Sequence, residues 1–533
     1  MIKAIHADSF FTPSVPPCVP SDAGSPDVNS LVDRIRALSA EDYPVAAIKE
    51  ILLSQNSCID AGDAALEAIE SIDSNTAFVI CGQQAGLFGG PLYTLYKAMH
   101  AVRLSSVLSE LSGKRIVPLF WIASDDHDFE EVASLGIRTN DGSVLRLSYT
   151  PKYYQEGAPV GDIVIDDGIS DAIDMLEDHI GPGDFSAHYM SIIKSSWQPG
   201  VKWADAFAKQ ISALFREHGL VIFDPRGDGA KTLFREIMTA ELNDPAASSS
   251  MVNAEADKYK TSKERKRAIR KPEDSTNLFY ESGGVRHGLF FANGRFSAGN
   301  EVFSKDEMLG IIASAPERFS PGAALRPVCQ DFVFPAAALI SGPGERFYLK
   351  QIEPVYSHFN VSRSIPWPRA SFTLIDQKTV RISDKEQIPL EKMFQDPDSI
   401  RAEHARNTFP PNMKNNLDKL EQTIDDDLNT IADQVGTIDP TLIKSIQKEK
   451  GKILHTINGI RTRAVRAHKS KTELSENRYV SSSYFLAPDG GPQERWFGID
   501  AVISLFRDRG FDELLELTSP DEGSHRIIVP DNT

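Results

Sequence analysis

The sequence predicts an α/β protein: an open parallel sheet with insertions between its units, followed by an antiparallel coiled-coil hairpin. Two observations predict it. Apolar runs that end in a glycine-bearing turn and pass into helical sequence recur at wide separation, in "NTAFVICGQQ" (75–84), "GLVIFDPRGDGAKTLFREIMTAEL" and "AAALISGPGERFYLKQIEPVY" (336–356). From residue 412 onward the apolar spacing changes to threes and fours, the rhythm of heptad helices. A length of 533 residues also exceeds what one core of roughly 250–300 residues supports, so more than one domain is expected.

Residues 1–30, rich in Pro, Ser and Asp, read as chain that wraps loosely over other structure, and helical patterning follows from 29 to 70. Residues 75–84 are too short for a helix and end at Gly82, which reads as a buried strand. Leu92, Leu95, Tyr96, Met99, Val102 and Leu104 then fall close to helical spacing. "RIVPLFWIAS" (115–124) is apolar on both faces, as a central strand of a parallel sheet is. Residues 276–304 read as an antiparallel meander inserted between sheet units. Met413, Leu417, Leu420, Ile424, Leu428, Ile431 and Val435 form one heptad arm; Ile446, Lys450, Ile453, Ile457, Ile460, Ala464 and Ala467 form the other, with "GTIDP" as the turn. Asp425, Asp426 and Asp427 on the first arm face a second arm bearing Lys444, Lys448, Lys452, Arg461, Arg463 and Arg466, which reads as inter-arm pairing or as a basic face for an anionic partner.

Apolar content of 41%, charged content of 25% and a net charge of −18 describe a globular chain and argue against a general nucleic-acid binder. Cys18, Cys58, Cys81 and Cys329 make no C-x-x-C pair, so neither a zinc ribbon nor a disulfide scaffold is expected. The longest apolar run, "FVFPAAALI" (332–340), falls well short of the ~20 residues of a membrane span, and the N-terminus lacks a signal-peptide core. A reduced, cytoplasmic protein without a membrane partner is expected.

Three stretches carry chemistry. In "CGQQAGLFGGPLYTLYKAMHA" (81–101) a strand, a glycine loop and a helix start together offer backbone N–H groups to phosphate or carboxylate. Gly82, Gly86, Gly89 and Gly90 let the backbone approach a ligand, Pro91 suits the first helical position, and Tyr93, Thr94 and Lys97 lie within two turns. It is neither a Walker A loop nor a G-x-G-x-x-G fingerprint, and tight strand–helix packing explains the glycines equally well. In "WIASDDHDFEEV" (121–132), Asp125, Asp126, His127 and Asp128 suit Mg²⁺ ligation, an ammonium site or a general base; an acid-rich helix start is the alternative. Carboxylates so close together require a raised pKa or a cation. In "LRPVCQDFVFPAAALISGPGERFYLKQ" (325–351), Arg326, Gln330 and Asp331 precede a strand whose end holds Gly342, Gly344 and Glu345. All three loops are expected to converge on one crevice, with Gly89, Asp126 and Gly344 around it.

"GQQAGLFGGPLYTLYK", "FWIASDDHDFEE", "RPVCQDFVFPAAALISGPGE" and "PDGGPQER" (488–495), in this order, resemble the BshC family of bacillithiol cysteine ligases over most of the chain. The resemblance implies a nucleotidyltransferase-like Rossmann core with connecting insertions, a C-terminal coiled coil and a homodimer. It also implies the joining of cysteine to the amino group of glucosaminyl malate; because amide formation in water needs an activated carboxylate, ATP with Mg²⁺ is the expected energy source, through an acyl adenylate or acyl phosphate. The expected partition is a core over 1–385 with insertions near 140–215 and 245–305, a hairpin over 386–475, and a tail over 476–533 packed back on the core.

Within this reading Asp126, His127, Asp128 and Lys97 are the candidate catalytic residues. Gly82, Gln83, Gln84, Gly86, Gly89, Gly90, Tyr93, Thr94, Arg326, Gln330, Asp331, Gly342, Gly344 and Glu345 are the candidate binding residues. The loop "GLFGGP" lacks the His-x-Gly-His signature of the wider superfamily. The basic stretch 256–277 departs from the family pattern and reads as a solvated insertion or a phosphate contact. Cys81 and Cys329 flank the expected crevice, as packing residues or as nucleophiles. Two rival functions are a metal-dependent hydrolase built on "DDHD" and a non-catalytic scaffold acting through the hairpin.

Overall fold

The computed structural model describes residues 2–6, 27–38, 43–139, 143–180, 183–259, 268–386, 390–394, 410–471, 481–506, 510–520 and 525–530. The chain forms two compact units, Met1–Asp376 together with Gly491–Thr533, and Gln377–Gly490.

The first unit is built on five parallel strands in the order Ile365–Pro368, Ala336–Ser341, Ala77–Gln83, Ile116–Ile122, Val221–Phe223. Every residue of Ile116–Ile122 is buried, as the two-sided apolar run requires. From Ala77–Gln83 the chain adds Ile116–Ile122 on one side and, much later, Ala336–Ser341 on the other. This change of direction opens a crevice at the carboxyl ends of the central strands. Beneath it Trp121 packs tilted against Phe223, with centroids 4.7 Å apart, and Phe223 meets Phe334 edge to face at 5.2 Å.

Ile365–Pro368, "IPWP", is a strand that the sequence conceals. Proline cannot donate to a ladder, so two prolines in four residues argue against an interior strand. The segment holds an edge position, where one side needs no partner. The helix after the first strand spans Leu92–Ser112, with Pro91 one position ahead of it as the cap. Leu92 N–H donates to Phe497 O at 2.8 Å, and Gly113, at φ 67°, ends the helix in the left-handed region.

The meander appears as strands Ser275–Ser282, Val285–Ala292, Arg295–Ala298 and Glu301–Ser304, joined antiparallel, with Phe319–Pro321 returning to the first. Its turn at Asn293–Gly294 has two successive positive φ values, 52° and 77°, as tight hairpins demand. A further sheet pairs Ile2–His6 antiparallel to His525–Pro530, which runs parallel to Ser371–Leu374. The start of the chain is therefore a strand where loose wrapping is expected; residues 7–26 lie outside the described residues. So do 260–267 of the basic stretch, whose flanking Lys258 and Arg270 pair with Glu255 and Asp257.

The second unit contains helices Pro411–Gly436 and Leu442–Lys471. Lys450 pairs with Asp425 at 2.8 Å and Arg461 with Asp418 at 2.7 Å, an antiparallel register. Lys450, a charged residue in a heptad position, also donates to Asn429 Oδ1. Ala432 and Ile457 are buried, whereas Leu420, Ile431, Ile453 and Ile460 stay exposed. No helix of the described residues is long and apolar enough to cross a membrane.

Asp500, first residue of the helix Asp500–Phe506, is buried, and its Oδ1 has no partner among the described residues. Burial pushes its carboxyl up to about 7. An acid raised on folding binds its proton more tightly in the folded state, so stability is fullest below its ordinary pKa and falls as pH rises toward 7. Replacing it by asparagine should therefore stabilise by about 2 kcal/mol at pH 8 and by little at pH 4. Chemical denaturation of both proteins across this range checks it; a pH-independent difference refutes the assignment.

Candidate active site

The crevice holds a cavity of about 410 Å³. Gly82, Gln83 and Gln84 reach it from the end of the first central strand, and Ala123, Asp126 and Glu131 from the second. Gly342, Gly344 and Glu345 follow the strand Ala336–Ser341. Tyr93 and Lys97 descend from the long helix, while Arg326 and Gln330 stand one turn apart on the helix Arg326–Val333.

Lys97 ties these elements together. Its Nζ donates to Gly82 O at 2.9 Å and Gln83 Oε1 at 3.0 Å, and pairs with Glu345 Oε2 at 2.6 Å. The same Glu345 oxygen accepts from Gly342 N–H at 2.8 Å, closing the start of the helix Pro343–Gln351. An ammonium has three donors, and all three are engaged. Burial pulls the Lys97 pKa down, and Glu345 opposes that pull. Lys97 thus clamps two strand ends and keeps no free donor for a ligand.

The acidic loop fans out. Asp125 turns inward to Lys231 and to Arg226, the latter at 3.3 Å. Asp126 faces the cavity and accepts from Gln84 Nε2 at 2.9 Å, whose other contact is Glu131 Oε2 at 3.0 Å. Burial pushes both aspartates up, but their cationic neighbours outweigh it: Lys231 and Arg226 at Asp125, Arg326 and Arg286 at Asp126. Both carboxyls end below their ordinary value. Neither a raised pKa nor an outside cation is needed, because the protein supplies the cations.

His127 leaves the cavity wall; its Nδ1 lies 3.2 Å from Arg286 Nη1, and the Arg286 guanidinium stacks 3.6 Å over Phe279. Burial and Arg286 lower its pKa against the pull of Asp126 and Asp128, favouring neutral imidazole. Asp128 caps the short helix Phe129–Val132 by position only, without a side-chain bond, and does not line the cavity.

The glycine loop is packed rather than open. Gly86, Gly89, Gly90 and Thr94 are absent from the cavity wall, so Gly82, and not Gly89, represents this loop beside Asp126 and Gly344. A Cβ on Gly86 would lie 2.5 Å from Gly90 Cα, which accounts for the glycine pair by close backbone approach. Trp203 Nε1 donates to Ala85 O at 2.6 Å and Gln210 Nε2 to Phe88 O at 2.8 Å, sealing the loop from the other side. Asp331 is likewise structural: buried, its Oδ2 accepts from Tyr356 OH, Ser364 N and Ser364 Oγ at 2.7–2.9 Å.

Residues 23–370 match the family described as "Bacillithiol biosynthesis BshC, N-terminal Rossmann-like domain", and residues 372–530 match its "C-terminal coiled-coil domain". This chain belongs to the BshC family. A relative from Salinibacter ruber is 30% identical over 508 residues, covering 93% of this chain and 91% of its own. Relatives from Chlorobaculum tepidum and Koribacter versatilis are each 29% identical, over 92% and 91% of this chain and 90% and 89% of their own. All three carry the printed name "Putative cysteine ligase BshC".

In BshC terms the Rossmann-like match ends at 370 and the coiled-coil match runs to 530, yet Gly491–Thr533 packs as part of the first unit. That segment contributes to the cavity. Arg495 lines it beside Arg369, and both guanidinium groups lie over Tyr93, at 5.5 and 5.7 Å. Sequence reasoning missed Glu131, Tyr348, Arg369 and Arg495, although "PDGGPQER" contains the last. Cys81 and Cys329 are buried, and burial raises both thiols far above the reactive range, which fits packing and not nucleophilic attack.

Proposed function

We propose that this protein joins the carboxylate of L-cysteine to the amino group of glucosaminyl malate, the last step of bacillithiol biosynthesis, with ATP and Mg²⁺ activating the carboxylate. The single observation that carries the reading is the cavity at the carboxyl ends of the central strands, where an ionised Asp126 faces Arg326 and the donors of a BshC chain. Membership in BshC supports the reaction class, and the cavity's residues support the following roles.

Amide formation from an activated carboxylate and an ammonium requires that the ammonium be held, lose a proton and attack the acyl carbon, after which the activating group departs with the bonding pair. Asp126 is the group placed to hold the ammonium and take its proton, since Gln84 fixes its Oδ2 and the cations keep it ionised. His127 N–H donates to Asp126 Oδ1 at 2.8 Å and sets the carboxylate plane. Arg326 and Gln330 face the anionic side of the substrates.

The residues also fit the activating group. Mg²⁺ is ordinarily held by one or two carboxylates plus phosphate oxygens, and Glu131, across Gln84 from Asp126 on the cavity wall, would supply the carboxylate. When bound, ATP with Mg²⁺ supplies a leaving group that makes the carboxylate electrophilic.

Purified protein given cysteine, glucosaminyl malate and ATP with Mg²⁺ should release a product with the mass of bacillithiol. Asp126→Asn should lower kcat/KM by about 100-fold or more, the range for loss of a positioned acid–base group. Absence of product with the intact protein refutes the reading.

A further inference from the structure

The charges around the cavity can be matched one by one. Lys97 is neutralised by Glu345, and Arg369 by Glu494. Arg326 lies in the field of Asp126 and bonds Tyr348. Arg495 alone among these four cations has no acidic partner in the described residues.

Its position is nevertheless fixed. The preceding Gln493 is buried and exchanges both amide bonds with the Leu374 backbone, at 2.7 and 3.0 Å. Glu494 is buried in the Arg369 pair and accepts from Ser371 Oγ at 2.8 Å. Two locked residues therefore deliver the third to the cavity, where Tyr93 supports its guanidinium from below. Arg495 itself is exposed, so its guanidinium stands ready at the cavity without having to break an existing ion pair.

A second, independent observation agrees. Gln330 is 4% exposed, lines the same cavity, and has no acceptor for Nε2 among the described residues. A half-turn of its amide exchanges oxygen and nitrogen without moving the helix, so the unpaired donor can be offered from either end of the group. The indole Nε1 of Trp121, on the cavity floor, also lacks an acceptor. A guanidinium without an acid and two donors without acceptors all ask for a ligand rich in anionic oxygen.

We propose that Arg495, carried in from the C-terminal segment, is the specificity-determining cation of the cavity and grips an anionic oxygen group of the substrate, with Gln330 donating to the same ligand. This rests on the ligase reading for the identity of the substrate, not for the existence of the subsite. The group is either a substrate carboxylate or a phosphoryl of the activating nucleotide; both present planar or tetrahedral oxygens that suit a guanidinium fork.

The test is calorimetric binding of L-malate and, separately, of inorganic pyrophosphate to the full chain and to its Arg495→Gln and Arg495→Lys variants. One of the two anions should bind the unaltered protein, and Arg495→Gln should weaken it by about 10- to 100-fold, with Arg495→Lys between them. Malate as the sensitive anion identifies a carboxylate, pyrophosphate a phosphoryl. In the coupled assay the same variant should raise KM for one substrate and leave kcat within about threefold. Unchanged melting temperatures exclude a merely structural cause. The proposal is overturned if neither anion binds the unaltered protein, or if Arg495→Gln binds both as tightly. Should no amide product form while the anion still depends on Arg495, the ligase reading falls and the subsite stands.

Discussion

Replacing Arg369 with methionine should destabilise the protein by about 3–5 kcal/mol, the cost of leaving one member of a buried ion pair charged and alone. Arg369 is 5% and Glu494 1% exposed at the side chain. The guanidinium meets both carboxylate oxygens, and Ser371 Oγ completes the set. Burial pushes Glu494 up, but Arg369 outweighs it and the carboxyl sits below its ordinary value. The pair's contribution is therefore present above that ordinary value and lost as pH falls through the lowered one.

Without the arginine the sign reverses. Glu494 then has burial without compensation, its pKa rises, and the variant pays most at neutral pH. The deficit relative to the unaltered protein should shrink as pH falls from 7 toward 5. Arg369→Met combined with Glu494→Leu should recover a large part of the loss, since apolar packing replaces buried pairs at little cost. Urea denaturation of the three proteins at two pH values measures all of this. A single variant that melts with the unaltered protein at pH 7 would falsify the pairing.

This ion pair also shows where the sequence stops being informative. Core strands were readable because two-sided apolar runs have few alternative uses, and the meander and hairpin because their periodicities are long. The cavity was half readable. Gly82, Gln84, Asp126, Arg326, Gln330 and Glu345 sit on strand ends or helix starts whose local pattern announces them. Arg369 and Arg495 follow segments without such a pattern, "IPWP" and "PDGGPQE", and their neighbourhood exists only after the C-terminal segment packs beside Tyr93. No local spacing encodes that meeting.

Glycine misled for a different reason. A missing side chain permits close approach by a ligand or by the chain itself, and the residue type alone does not distinguish them. At Gly86 and Gly90 the neighbour is backbone, so the loop that looked most like an anion cradle is a packed corner. The aspartates of "DDHD" misled in the opposite sense. Their crowding suggested mutual repulsion, yet Lys231 and Arg226 at Asp125, and Arg326 and Arg286 at Asp126, drawn from distant segments, keep these two carboxyls below their ordinary value.

Lys97→Met should lower kcat/KM by about 100-fold while its own side chain touches no ligand. The lysine fixes Gly82 and Gln83 against Glu345, and so sets the distance between the two strand ends that bracket the cavity. Without it Glu345 faces Cys81 and the cavity uncompensated, and Gln83, which also bonds Tyr93 OH at 3.3 Å, loses its acceptor's partner. A shift of about 1 Å in such a bracket is enough to cost two orders of magnitude in rate. Stability should fall as well, by about 3 kcal/mol, the low end for a broken pair because Glu345 is partly solvated. Lys97→Met paired with Glu345→Gln should regain stability but not activity, for the amide cannot restore the link to Gly82 O. That split separates a positioning residue from a catalytic one: a ligand-binding lysine would show a KM defect with the melting temperature unmoved, and full turnover in Lys97→Met would remove the clamp from the account of the site altogether.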